Sequence, residues 1–146
     1  MKDTIANLEA ERNIPHVHFS AYKDSSGHFT GPITFNHVLF NHGSAFDGST
    51  GKFVAPSAGF YSFQISGQQG TTDGRGTALN LEVQKNGARE FDILDYNPSN
   101  YQNLHYKFEL KLEQDDQITL DLYDKDYLWA NSAHRIYFSG QLLYVA

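Results

Sequence analysis

The sequence predicts an all-β domain, a sandwich or barrel of short antiparallel strands. Three observations carry that expectation. Apolar and polar residues alternate at period two in several separate stretches. Turn signals such as "KNG" and "EQDDQ" separate them. The only helical pattern lies before Pro15, so no helices are interleaved with the strands.

In chain order, "DTIANLEAERN" (residues 3–13) comes first. Asp3 is placed to cap a helix there, Ile5 and Leu8 lie three apart, and Pro15 stops it. A helix of about 11 residues is marginal alone in water, so this stub is the end of a short coiled coil or a frayed tail. Strands are expected at 17–22, 34–40 and 59–67. "ALNLEVQ" points Leu79, Leu81 and Val83 inward, and the following Asn86-Gly87 tolerates the positive φ of a tight hairpin. "LHYKFELKL" sets Leu104, Tyr106, Phe108, Leu110 and Leu112 against His105, Lys107, Glu109 and Lys111. "ITLDLY" directs Ile118, Leu120 and Leu122 inward. The last strand, "RIYFSGQLLYVA", places Ile136, Phe138, Leu142 and Tyr144 on one face and Tyr137, Gln141, Leu143 and Val145 on the other. Both faces are apolar, the pattern of a strand covered on both sides, often by another subunit.

A chain of 146 residues fits one domain with a substantial core. The absence of cysteine removes disulfides, thiolate chemistry and Cys-ligated zinc. A net charge of −6 with no Lys/Arg cluster argues against nucleic acid and against an anionic membrane surface. No apolar run reaches the ~20 residues of a helical span, so membrane insertion is not expected. No signal-peptide pattern opens the chain.

One long stretch is diagnostic. "ITFNHVLFNHGSAFDGSTGKFVAPSAGFYSF" resembles the signature of the globular head domain of complement component 1, q subcomponent, of the complement/tumour necrosis factor superfamily. Phe35, Val38, Asn41, Phe46, Thr50, Gly51, Phe53, Pro56, Gly59, Tyr61 and Phe63 carry the match. "VQKNG", "LKLEQDDQITLDLY" (with Asp115 at a position the family gives to glycine) and "FSGQLLYVA" extend it, so it covers about residues 16–146. The chain thus divides into a stub, 1–15, and a head domain, 16–146. The resemblance implies a ten-stranded antiparallel jelly-roll sandwich and a tight homotrimer. It implies a non-catalytic, secreted recognition protein, with calcium bound in some members. Microbial glycans or surfaces are the expected ligands, as in innate immunity. The alternative is an extracellular ligand or organiser that binds a cell-surface protein receptor. Ala55 stands where many members have Cys, and no collagen-like Gly-x-y tract precedes the head.

Candidate sites follow. His16 and His18 form a His-x-His, but two imidazoles alone are an incomplete metal site. His28, His37, His42, His105 and His134 are scattered, and no nucleophile elbow, phosphate loop or zinc-protease motif occurs. An enzyme is therefore not expected. Residues 91–106 read as a polar loop with interleaved aromatics. Asp92 and Asp95 there are hard oxygen donors for a candidate calcium, and Tyr96, Asn100 and Tyr101 are candidate ligand contacts. Residues 121–135 read as the segment joining the last two strands. Asp124, Asp126, Tyr127, Trp129, Asn131, His134 and Arg135 supply aromatic plates, carboxylates and an amide, the mix that suits a sugar or a protein hot spot.

Overall fold

The structure, a computed structural model, describes residues 15–69, 77–97, 102–128 and 130–146. The helical or coiled-coil stub expected over 1–15 lies outside them except for Pro15. No α-helix occurs among the described residues. They form eleven strands: β1 (His18–Lys23), β2 (Gly27–Pro32), β3 (His37–His42), β4 (Phe46–Asp47), β5 (Lys52–Val54), β6 (Gly59–Gln69), β7 (Thr77–Lys85), β8 (Ala88–Asn97), β9 (Gln102–Leu112), β10 (Gln117–Leu128) and β11 (Ile136–Val145).

Every pairing is antiparallel. One sheet has the order β3-β1-β11-β6-β9, the other β4-β5-β10-β7-β8, and β2 joins β10. The first and last strands are neighbours, and most neighbours come from distant parts of the chain. That is the double-sheet jelly roll the motifs imply. The strand beyond the expected ten is accounted for by β2, which pairs along the far half of β10, Phe29 opposite Asp126 and His28 opposite Tyr127.

Alternation decides what each strand buries. Leu81 and Val83 of β7 and Ile118, Leu120 and Leu122 of β10 all point into the core, as their period-two spacing requires. The centre between the sheets is aromatic. Phe19 stacks on Phe46 with ring centroids 4.3 Å apart, and Phe53 meets Tyr61 and Phe63 edge-on at 5.4 and 5.1 Å. Burying each such side chain contributes about 1.5–3 kcal/mol, and a well-oriented ring pair adds about 0.5–1.5 kcal/mol.

The family signature is the wiring of this core. The Asp47 carboxylate accepts from the backbone N–H and hydroxyl of Ser49 at 2.9 and 2.7 Å, which tightens the turn into β5. Gly51 closes it with φ 71°, and a Cβ there would lie 1.9 Å from the Ile33 carbonyl oxygen, so only glycine fits. Phe53 then enters the core, and the Tyr61 hydroxyl donates to the Ser57 carbonyl at 2.6 Å, tying the Pro56–Gly59 bend to β6. Asn86 and Gly87 have φ of 54° and 82°, as a two-residue hairpin needs. Asp115 has φ 72°, so it adopts the left-handed backbone expected of a glycine position, held by its N–H bond to the Ala55 carbonyl at 2.8 Å.

Two expectations need correction. The strand read at 34–40 begins at His37, because Ile33 and Phe35 are buried in the connection before it and Ile33 N–H bonds Leu120 O instead. Tyr144 does not face inward. The β11–β6 register shifts between Leu142 and Tyr144, and the extra residue reverses strand parity. Tyr144 is therefore 59% exposed and packs its ring on Phe60 at 4.7 Å.

Candidate functional site

The segment expected as a loop over 121–135 is mostly strand. β10 runs to Leu128, and β2 pairs with it at Asp126, Tyr127 and Leu128. Asp124, Asp126 and Tyr127 are thus strand positions. The strand persists through this polar run because buried Leu122 and Leu128 anchor its two ends and a register shift between Leu122 and Asp126 absorbs the mismatch. Trp129 lies outside the described residues. Past it, the Ser26 hydroxyl both accepts from Ala130 N–H and donates to Ala130 O, each at 2.7 Å, which fixes the end of β10 to the β1–β2 connection.

The connection to β11 is a tight turn built by Asn131. Its Oδ1 accepts from Ala133 N–H and His134 N–H, both at 2.9 Å. That oxygen shapes the loop, which leaves the amide nitrogen for other contacts. His134 is exposed beside it, its Nδ1 3.3 Å from the same oxygen. Arg135 follows. Its guanidinium carbon sits 4.2 Å from the Tyr22 ring centroid, and Nη1 donates to the Tyr137 hydroxyl at 3.4 Å. Its buried Nε has no partner, and no carboxylate of the described residues forms an ion pair with it.

The second candidate region is also strand. Asp92, Asp95 and Tyr96 belong to β8, opposite Glu82, Leu79 and Ala78 of β7. Asn100 and Tyr101 lie outside the described residues. Asp92 is engaged by Arg89 at 3.2 Å, and Arg89 also reaches Glu82 at 3.7 Å. The β7–β8 register runs unbroken past positions 92 and 95. Among the described residues no three His, Cys, Asp or Glu side chains gather as metal ligands. Among the described residues His16 and His18 likewise acquire no third ligand.

A third region was not legible as a site. On the outer face of the five-stranded sheet, cross-strand partners form three rows: His42, His18, Gln141, Ser62 and Glu109; Phe40, Ser20, Ser139, Gln64 and Lys107; His37, Tyr22, Tyr137, Ser66 and His105. The serines at the centre leave a shallow polar hollow of about 160 Å³ beside His18, Gln64 and Lys107. Phe40 of the same face and, further along β11, Leu143, Tyr144 and Val145 are exposed, as is Val38 of β3. The face carries four of the seven histidines. Of these four, His37 is the one with a carboxylate partner among the described residues, Asp24, at 3.0 Å from Nε2. Asp24 is held below the ordinary carboxylate range, first by the hydrogen bond from Asn36 and then by His37.

Residues 18–143 match the C1q domain family. A curated relative from Mus musculus, complement C1q tumor necrosis factor-related protein 7, is 31% identical over 121 residues. The match takes in 78% of this chain and 39% of the relative, so the chain spans about two fifths of that protein's length. Among solved structures, the globular domain of zebrafish complement 1qA superposes with a TM-score of 0.69 at 20% identity, covering 89% of this chain and 99% of that one. Murine APRIL, crystallised at pH 5.0, superposes with a TM-score of 0.70 at 14% identity, covering 88% and 99%. These two likenesses concern the fold. With the family match spanning most of the head and the signature residues occupying the turns and core positions described above, the chain belongs to the C1q domain family.

Proposed function

We propose that this chain is a non-catalytic, extracellular recognition domain that works as a homotrimer and binds acidic glycans of microbial surfaces at the β10–β11 end of the sandwich. The observation that carries the ligand reading is Arg135. Its guanidinium carbon lies 4.2 Å from the Tyr22 ring centroid, Nη1 donates to the Tyr137 hydroxyl, and it has no carboxylate partner among the described residues. A preorganised fork of this kind suits the carboxylate or sulfate of an acidic sugar. The neighbouring Asn131 amide, His134 and positions 124, 126, 127 and 129 supply the polar and aromatic contacts a sugar ring needs, and Tyr96, Asn100 and Tyr101 remain proposed contacts. Three equivalent sites on one trimer would raise avidity for a repetitive surface.

The trimer is supported by the family membership and by the exposed apolar residues of β3 and β11 in the five-stranded sheet. The alternative partner is a cell-surface protein receptor docking along the trimer flank. An array of acidic and neutral glycans, read with and without a chelator, separates the two. The proposal expects binding to acidic glycans that survives the chelator and falls about tenfold or more in Arg135→Ala and in Trp129→Ala, the scale of a hot-spot loss. A blank array with intact cell-surface binding would assign the receptor reading instead.

A further inference from the structure

We propose that Asn86 is a guarded deamidation site: a two-point clamp on its carboxamide protects it, and hydrolysis there unfastens one end of the sandwich. Asn86 is the only asparagine followed by glycine in the chain. Gly87 presents no side chain, and beyond its two sequence neighbours no atom lies within 4 Å of where a Cβ on it would sit. The turn is exposed, so water reaches it.

The chemistry needs water alone as co-reactant. Gly87 N attacks Asn86 Cγ and gives up its proton to solvent. The Cγ–Nδ2 bond breaks, ammonia leaves, and a cyclic imide remains. Water then opens the imide at one of its two carbonyl carbons, which yields aspartate or isoaspartate.

The fold holds the carboxamide off that path. Asn86 Nδ2 donates to Asp116 Oδ1, and Asn86 Oδ1 accepts from Gln117 N–H, both at 2.9 Å. Asn86 N–H itself donates to Gln117 O at 2.8 Å. The carboxamide and its own backbone N–H thus engage the same residue, which keeps Oδ1 on the N-terminal side of Asn86, away from Gly87 N. Bringing Cγ onto Gly87 N requires a rotation that gives up both carboxamide bonds. One of these is to a carboxylate, the stronger class. Asp116 is fixed in turn, its Oδ2 accepting from Glu113 N–H at 2.8 Å. Its carboxyl is held below the ordinary range, first by the Asn86 amide and then by Glu113 N–H.

The same contacts join separate pieces of chain. Ala55 N–H donates to Asp116 O at 2.9 Å, and Ile118, two residues on, pairs with both Lys85 and Phe53. Hydrolysis replaces the Nδ2 donor with an oxygen facing Asp116 Oδ1, so an attraction becomes a repulsion between carboxylates. Isoaspartate also lengthens the backbone by a methylene, which the two-residue turn between paired Lys85 and Ala88 cannot hold in register. The site lies at the opposite end of β10 from Asp126 and Tyr127, so it stands or falls independently of the ligand reading.

The test is peptide mass mapping of the full chain aged at pH 7.5, folded and in urea, following conversion of Asn86 with time. The folded chain is expected to convert about tenfold more slowly or better, the scale of one charge-assisted hydrogen bond. Asp116→Ala should raise the folded-state rate severalfold with unchanged circular dichroism. Converted protein, separated by ion exchange, should melt below unconverted protein. Equal rates in the folded and unfolded chains overturn the inference, and that comparison needs no variant. A folded Asp116→Ala chain that converts no faster overturns it too, as does converted protein that melts together with unconverted.

Discussion

The outer faces of the two sheets are built from different chemistry. On the six-stranded sheet, Arg89 joins Asp92 and Glu82, Gln84 donates to Glu82 at 3.0 Å, and Thr119 donates to Asp121. Charges answer one another there, as on a surface that stays in water. On the five-stranded sheet the centre is serine, glutamine and histidine, with Phe40, Leu143 and Tyr144 exposed nearby, and the one ion pair among its described residues sits at the His37 edge. A face with little charge and an apolar rim resembles the core of an association patch, where charged residues are depleted. The same hydrophobic centre supports both faces, so their difference reflects what each sheet meets outside and not how the domain folds.

Several perturbations would break or sharpen that contrast. The largest expected effect is one both sheets share. Phe53→Ala opens a cavity beside Phe19, Tyr61 and Phe63, and should cost about 3–5 kcal/mol in urea unfolding. A loss below about 1 kcal/mol would mean that the two sheets do not share one core.

Acid titration of stability comes next and has opposite signs on the two sides. Burial pushes the Asp121 carboxyl above its ordinary range, partly offset by Thr119, with Glu82 adding to the rise. A raised folded value means the ionised form is disfavoured by folding, so charged Asp121 weakens the fold at neutral pH. Asp121→Asn should therefore raise Tm at pH 7, and the gain should vanish below the ordinary carboxylate range, where the native side chain is already protonated. Asp24 is depressed, so its contribution is present above its unfolded value and is lost as pH falls through the folded one. Asp24→Asn should lower Tm at pH 7 and change nothing in strong acid. Equal pH profiles for the two variants would contradict the assignment. The smallest effect is expected at the exposed ion pairs: Arg89→Ala should change stability by no more than about 1 kcal/mol, less at high salt.

Much of the fold was legible because it rests on local rules. Period two assigned Leu81, Val83, Ile118, Leu120 and Leu122 to the core, and the Asn86-Gly87 and Asp115 turns adopted the backbone their positions demand. The polar string at 124–127 read as loop because its pairing is tertiary. β2 has a weak strand signal of its own and is recruited by the exposed edge of β10. Tyr144 was misplaced because a one-residue bulge reverses parity without a local cue. The histidine face was hidden for a related reason. His18 and His42 are 24 positions apart in the chain, and only sheet register makes them neighbours.

The central claim is that the outer face of the five-stranded sheet is the surface a second copy covers. Ser139→Arg tests it most directly, because Ser139 lies mid-sheet between Ser20 and Gln64 and lines the hollow. Light scattering at pH 7.5 should give three times 16.5 kDa for the unaltered chain and 16.5 kDa for Ser139→Arg, with unchanged circular dichroism. An unaltered chain that is already single, or a Ser139→Arg variant that remains trimeric, would contradict the account.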